Sequence, residues 1–313
     1  MAALTAGVDL GGTKIQTVAV ADEKVVGQSR HPTPRTTAAD VMDEIIATIR
    51  ESTTTGELRA IGIGTPGSVD VKTGHVSQSS NVPGFMDDVP LGPTVSAAFG
   101  GVPVFVDNDV RVAVTGEHTR GAGRPYKNLL GVFVGTGVGG GIILDGHLQY
   151  GRGSAGEIGH TTVKPGGRRC PCGRRGCLEA YAGRLSLERA ARSQQTKGHE
   201  TKLFDIMERE GKDRVSSSVF AKALEEGDHV TIRLVHQAVV SLGLAIANAQ
   251  NLLDLEAVIL GGGLGDRLGP PFIQRVQREM VRNLRRPDVP PALLGTELGD
   301  LSGAVGAAVL AGG

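Results

Sequence analysis

Two short glycine–threonine turns, each set between apolar runs, limit this chain more than any other feature. The first, Asp9-Leu-Gly11-Gly12-Thr13-Lys14, joins the apolar or small residues Leu4 to Val8 to the apolar run Ile15 to Val20. The second, Gly135-Thr136-Gly137-Val-Gly-Gly-Gly141, lies between Leu129–Val134 and Ile142–Leu144. Adjacent glycines allow backbone N–H groups to approach phosphate oxygens, and Thr13 and Lys14 can add donors or charge at the same turn. The first turn alone would equally fit a plain hairpin with a solvated lysine. A pair, one early in each half, suggests two related α/β domains that clamp the phosphates of a nucleotide. At 313 residues the chain also exceeds the length at which one core stops growing. The expected domains are residues 1–118, completed by a C-terminal helix at 301–313, and residues 119–300.

A second feature lies between Glu157 and Glu179. All three cysteines fall here, in Cys170-Pro-Cys172-Gly-Arg-Arg-Gly-Cys177, and His160 stands ten residues before the first of them. Three thiols and an imidazole are the tetrahedral ligand set that Zn²⁺ prefers. Ordinary core cysteines scatter along a sequence and do not crowd onto a Gly/Pro-rich loop. With four protein ligands the metal has no open position, so a structural zinc is expected and a hydrolytic one is not. Folding the loop around it would draw Glu157 and Glu179 towards one place. Arg168, Arg169, Arg174 and Arg175 are expected to be solvated and to offset thiolate charge.

The remaining segments frame these two features. Ala38 to Glu51 carries Val41, Ile45, Ile46 and Ile49 at helical spacing and leads to a buried strand at Ala60–Gly64. Asn81-Val-Pro-Gly is a turn whose amide could bind a polyol or bond its own backbone. Pro103 to Val106 reads as a strand with Asp107-Asn108-Asp109 at its end and a helix following, a placement suited to chemistry in α/β sheets. A helix dipole would favour ionised Asp109, while capping alone would explain one of the two aspartates. Ala180 to Ser193 is expected to be one helix, and the charged run 194–215 exposed helices or a mobile cover without chemistry. A long buried helix over 231–253 precedes the strand Ala257–Leu260 and Gly261-Gly262-Gly263, where bare backbone could face an adenosine or simply turn into a helix.

Composition excludes several classes. A formal net charge of zero offers nothing to a polyanion, and three Tyr, seven Phe and no Trp leave few platforms for stacking bases, so no nucleic-acid partner is expected. Three cysteines in one loop do not make a disulfide framework, and the N-terminus lacks the pattern of a signal peptide, so the cytoplasm is the expected compartment. Leu129 to Leu144 is broken by six glycines and a threonine, and no membrane partner is expected.

The pattern Glu157-Ile-Gly-His160 followed by Cys-x-Cys-Gly-x-x-Gly-Cys-x-Glu179 resembles the signature of the ROK family of bacterial sugar kinases and sugar-responsive repressors. The paired turns resemble the wider sugar kinase, actin and heat-shock ATPase superfamily. These resemblances imply a two-domain ribonuclease H-like fold with the active site in a cleft between the domains. They imply phosphorylation of a hexose 6-hydroxyl by ATP, glucose first, with N-acetylmannosamine, N-acetylglucosamine, fructose or mannose as alternatives. Asp109 becomes the base, and Asn81, Asn108, Glu157, His160 and Glu179 the sugar ligands. Asp9 stands near Mg²⁺; Gly11, Gly12, Thr13, Lys14, Gly135, Thr136, Gly137 and Gly261 to Gly263 meet ATP. Arg111 departs from the family, which often has Asn there, and leaves the local hydrogen bonding open. A repressor would need a helix-turn-helix ahead of the first turn, where only eight residues precede Asp9. A homo-oligomer, dimer or tetramer, is expected.

Overall fold

The computed structural model describes residues 2–79 and 81–312, which form two compact units, one of residues up to 124 with those from 300 onward, the other of residues 125–299. In the first, β1 (Ala2–Leu10), β2 (Lys14–Ala21) and β3 (Lys24–Pro32) form an antiparallel meander. Helix α1 (Ala38–Ser52) starts at a capping box, in which Thr37 accepts from the Asp40 N–H and the Asp40 side chain accepts in return, and it buries Val41, Ile45 and Ile49. It leads to β4 (Gly56–Thr65), a small ribbon of β5 (Ser68–Asp70) and β6 (His75–Ser77), α2 (Leu91–Ala98), β7 (Val104–Asn108) and α3 (Asp109–Arg120).

The sheet order is β3-β2-β1-β4-β7, with β4 and β7 parallel to β1. Register then decides the site. Asp9 pairs with Gly64, and Gly64 pairs with Asp107, so the first turn and the Asp107–Asp109 triplet end up at the same edge. Strand C-termini are where α/β sheets place ligands. The expected boundary at 118/119 falls inside α3. The chain stays with this unit through Arg124, held by Glu117, whose carboxylate accepts from the Ala122 N–H.

The second unit repeats the arrangement. Strands β8 (Leu129–Val134), β9 (Val138–Leu144) and β10 (His147–Leu148) run antiparallel, and β11 (Ala257–Gly261) and β12 (Ala292–Gly295) extend the sheet in parallel, in the order β10-β9-β8-β11-β12. The expected single helix from Ala180 is two, α4 (Glu179–Ala182) and α5 (Arg184–Gln195), because the chain turns at Gly183 in extended conformation. The run 194–215 is no loose cover. Helix α6 (Leu203–Arg209) buries Leu203, Phe204 and Ile206, and Val215 joins the same core. Short-range charge alternation hid three apolar residues that tertiary packing collects.

Next, α7 (Ser217–Glu225) starts at a Ser216 cap, and α8 (His229–Leu253) starts where Asp228 accepts from the Thr231 N–H. By length and composition α8 could span a membrane, but most of its apolar window is buried in this unit. Ile232 and Leu252, part of its apolar series, are exposed. Then α9 (Gly262–Arg282) bends at Gly269, where φ is +61° and Pro270 and Pro271 come next.

The final helix, α10 (Ser302–Leu310), belongs to the first unit and lies directly on β1, β4 and α3. A Cβ on Gly7 would fall 2.0 Å from the Ala304 carbonyl oxygen, and one on Gly62 would fall 1.7 Å from that of Ala307. The Ala/Gly composition of α10 follows from this backbone-to-backbone approach. Its N-terminal Ser302 hydroxyl donates to the buried Glu117 carboxylate at 2.7 Å.

Candidate active site

The first turn is built from backbone. Gly11 N–H donates to the Lys14 carbonyl (2.9 Å), and the Thr33 hydroxyl donates to the Gly11 carbonyl (2.6 Å). A Cβ on Gly12 would sit 2.5 Å from the Asn81 carbonyl oxygen, so Gly12 is bare because the Asn81 segment packs onto it. This brings two separately predicted candidates together. Thr13 and Asn81 are exposed at that surface. Lys14 Nζ lies 3.3 Å from the Asp300 carboxylate, a partner that sequence reasoning had no means to find.

Asp9 closes β1 beside Gly303, where a Cβ would reach within 2.7 Å of its carboxyl carbon. Burial pushes the Asp9 carboxyl from 3.8 up to about 7, the Asp109 carboxylate adds to the rise, and Lys14 opposes it. Two carboxylates crowded at one strand edge are a donor set that a cation completes.

The helix cap belongs to neither aspartate. Asn108 is the N-cap of α3, its Oδ1 accepting from Val110 N–H (3.0 Å) and Arg111 N–H (3.3 Å). Its Nδ2 donates to Asp109 Oδ1 at 2.9 Å, and the Val110 N–H adds 3.0 Å to the same oxygen. Asn108, expected on the sugar, also holds Asp109. Asp107 is buried, accepts from the Asn108 N–H at 2.7 Å, and pairs with Arg111 Nε at 2.8 Å. That ion pair settles what Arg111 does.

In the second unit the turn Gly135–Gly137 is tied to the helix that comes after the cysteine loop. The Val138 N–H donates to Glu179 Oε2 at 3.0 Å, and a Cβ on Gly137 would strike that oxygen at 2.3 Å. Glu179 therefore joins the second glycine–threonine turn to the cysteine loop. The Glu157–His160 stretch, with a 3₁₀ turn at Ile158–His160, lies against β9, where Gly159 leaves room for the Val138 carbonyl and Gly140 for that of Gly156.

The four predicted metal ligands converge. One ligand atom from each of His160, Cys170, Cys172 and Cys177 falls within a group no wider than 4.8 Å. His160 Nδ1 is 3.9 Å from Cys170 Sγ, and Cys172 and Cys177 Sγ atoms are 3.8 Å apart. Gly173 and Gly176 turn the loop at φ of +89° and +83°, and a Cβ on Gly176 would meet the Lys164 carbonyl at 1.9 Å. Burial pushes the Cys170 thiol up to about 12. Burial also acts upwards on Cys172, but the Arg174 N–H and hydrogen bonds from Cys170, Arg174 and Cys177 bring it down to about 6. Three crowded thiols at odds over one proton set fit a dication that deprotonates all of them. The other face of His160 turns to Glu157, with Nε2 4.0 Å from Oε2.

The arginines divide. Arg174 donates to the His160 carbonyl at 2.8 Å, whereas Arg168 is not solvated: it is half-buried, stacks 4.8 Å from the Tyr181 ring centre and bonds Gln237. The triplet Gly261–Gly263 is largely a packed strand-to-helix turn. A Cβ on Gly261 would reach 2.3 Å from Thr296 and one on Gly262 2.7 Å from the Val134 backbone, while Gly263 meets nothing nearer than Ser217 Oγ at 3.6 Å. Only Gly263 retains an open face.

A model of the ROK family matches residues 5–313. The chain is 35% identical to a glucokinase of Halalkalibacterium halodurans, over 87% of this chain and 84% of that one. It is 31% identical to an N-acetylmannosamine kinase of Yersinia pestis, over 86% and 85%. A ROK family glucokinase from Streptomyces griseus, solved in complex with glucose and AMPPNP, superposes with a TM-score of 0.84 at 33% identity, covering 98% of this chain and 99% of that one.

Proposed function

This chain belongs to the ROK family, and from that premise we propose how its residues carry ATP-dependent phosphorylation of a hexose at the 6-hydroxyl, with glucose the substrate. It is a hexose kinase. The observation that carries glucose is the likeness, over nearly the full length of both chains, to a glucokinase solved with glucose and a nonhydrolysable ATP analogue. N-acetylmannosamine is the second reading, favoured by the kinase that shares 31% identity.

Phosphoryl transfer asks a protein for positioning, charge stabilisation and a base. Asp109 takes the proton of the 6-hydroxyl. It lies in the first turn of α3, where the helix dipole favours the carboxylate, and Asn108 and the Val110 amide fix one of its oxygens. Glu157, the Nε2 face of His160, Glu179 and the Asn81 amide hold the remaining hydroxyls, with acceptor carboxylates matched to hydroxyl donors. The turns Gly11 to Lys14 and Gly135 to Gly137 receive the phosphates through the Thr13 and Thr136 hydroxyls, the Lys14 ammonium and the amides left over by the Gly11–Lys14 and Gly135–Gly137 backbone bonds, and Gly263 borders the adenosine. Asp9 would hold Mg²⁺ bound with ATP, which would neutralise phosphate charge there. Zn²⁺ held by His160 Nδ1 and the three thiolates would lock the loop that presents His160 and Glu179. We assign the protein to the cytoplasm and the first step of glycolysis, as a homo-oligomer, its two units acting as two domains. ADP release measured across glucose, mannose, fructose and the two N-acetylhexosamines, with ATP or polyphosphate as donor, tests the reading. A kcat/KM for any other sugar above that for glucose displaces it.

A further inference from the structure

Arg184, at the start of α5, had no role in the sequence. Its backbone N–H donates to the Gly135 carbonyl at 3.0 Å, and the Leu185 N–H donates to that of Thr136 at 3.2 Å. Its side chain returns to the same turn. Nη2 donates to Thr136 Oγ1 at 3.2 Å, while Nη1 donates to the Val215 carbonyl at 2.5 Å, and the residue is 8% exposed.

The hydrogen-bond inventory gives this geometry a direction. A guanidinium only donates, whereas a threonine hydroxyl has one proton and two acceptor sites. Thr136 accepts from Arg184, so its own proton is left for a different acceptor. The carbonyls of Gly135 and Thr136 are already turned to the first amides of α5, and beyond the adjoining residues no described atom lies within 4 Å of where a Gly135 Cβ would stand. The Gly137 carbonyl accepts from the Gly135 N–H at 3.0 Å, so all three carbonyls of Gly135 to Gly137 are engaged, and a polarised hydroxyl proton remains. Burial and the nearby Arg214 both lower the Arg184 pKa, and Glu188 opposes them. Such a buried cation is stabilised by an anion nearby.

We propose that Arg184 is a positioning residue of the nucleotide turn, aiming the Thr136 hydroxyl proton at a phosphate oxygen of the donor nucleotide and placing positive charge behind it. The inference rests on reading Gly135–Gly141 as a phosphate turn. It also gives the run before α7 a purpose, because the Val215 carbonyl holds the other end of the guanidinium.

A mutant cycle over Arg184→Met, Thr136→Ala and the double variant tests it, reading KM for MgATP and for hexose separately. Loss of a charge-assisted bond predicts that Arg184→Met raises the MgATP KM about tenfold or more, with the hexose KM within about twofold. The double variant should be no worse than Arg184→Met alone. Additive losses, or equal losses for both substrates, overturn the proposal. If Thr136→Ala leaves the MgATP KM unchanged, the reading of the turn itself falls; if it raises that KM and Arg184→Met does not, only the role of Arg184 falls. Should Arg184→Met fail to fold, Arg184→Lys keeps the buried charge as a single ammonium and cannot reproduce the fork. It should still raise the MgATP KM several-fold, and an unchanged value overturns the role of Arg184.

Discussion

The two sheets share strand order and sense, yet different side chains back their glycine–threonine turns. The first turn begins at Asp9, with Asp107 paired to Gly64 at the same edge and Asp109 two residues on, and burial plus the Asp109 carboxylate hold the Asp9 carboxyl near 7. The second is backed by Arg184, which donates to Thr136 from a nearly buried position. One topology therefore sets carboxylates beside the turn in one copy, and a guanidinium together with the Glu179 carboxylate beside it in the other. The difference lies in the element that packs behind each turn: in the first unit the strand edge brings carboxylates, and in the second a helix start brings a guanidinium.

The largest expected effect breaks the acidic member. Asp109→Asn should lower kcat by roughly 10²–10⁴ while both substrates still bind within a few-fold, because the amide keeps the shape but cannot take the proton. Asp107→Asn should act differently, leaving Arg111 buried without its partner. Breaking a buried pair costs about 3–5 kcal/mol, so a lowered unfolding midpoint in denaturant, with kcat spared, is expected. A full loss of turnover at Asp107 with retention at Asp109 would reverse the two roles.

Asp9→Asn should sharpen the comparison from the stability side. A carboxyl whose pKa rises on folding costs stability as pH climbs from about 4 to about 7, since the unfolded chain ionises first. In the nucleotide-free protein, Asp9→Asn should therefore melt higher than wild type at pH 8. That advantage should shrink towards pH 4, and turnover should fall. No change in melting temperature at pH 8 would show that Asp9 is not held at this disadvantage.

Smaller effects probe the second turn. Glu179→Gln keeps an acceptor for the Val138 N–H, so hexose binding should weaken by about 1–2 kcal/mol and MgATP binding by less. Glu179→Ala removes the strut as well and should raise both KM values. Equal effects of Gln and Ala on MgATP would detach Glu179 from the turn. Finally, Cys172→Ala should lose zinc, from about one ion per chain in the wild type by metal analysis, and with it part of the hexose affinity. Active wild-type protein without zinc would end the scaffold reading.

Some of this site was legible because its signals are local. The cysteine spacing with Gly173 and Gly176, the two turns, and the four-residue period of Val41, Ile45 and Ile49 all act within a few residues of chain. The cap was misassigned because Asp and Asn are equally good N-caps, and only backbone angles pick Asn108. Helix α6 was missed because three apolar residues in a charged run show no period long enough to read. Arg168 was read as solvated, since nothing near it in sequence announces Tyr181 or Gln237.

The sequence by itself determined the α/β class, the paired hairpins, the His/Cys cluster and the carboxylates available for chemistry, because hydrophobic period, turn chemistry and cysteine spacing are properties of neighbouring residues. Tertiary structure decided which atoms those carboxylates meet. Asp300 reaches Lys14, Glu179 reaches the Val138 amide, Arg184 reaches Thr136, and Gly303 clears a place for Asp9. Each of these contacts closes a loop of tens to hundreds of residues. Their existence depends on strand register and on close backbone packing, which no local pattern encodes.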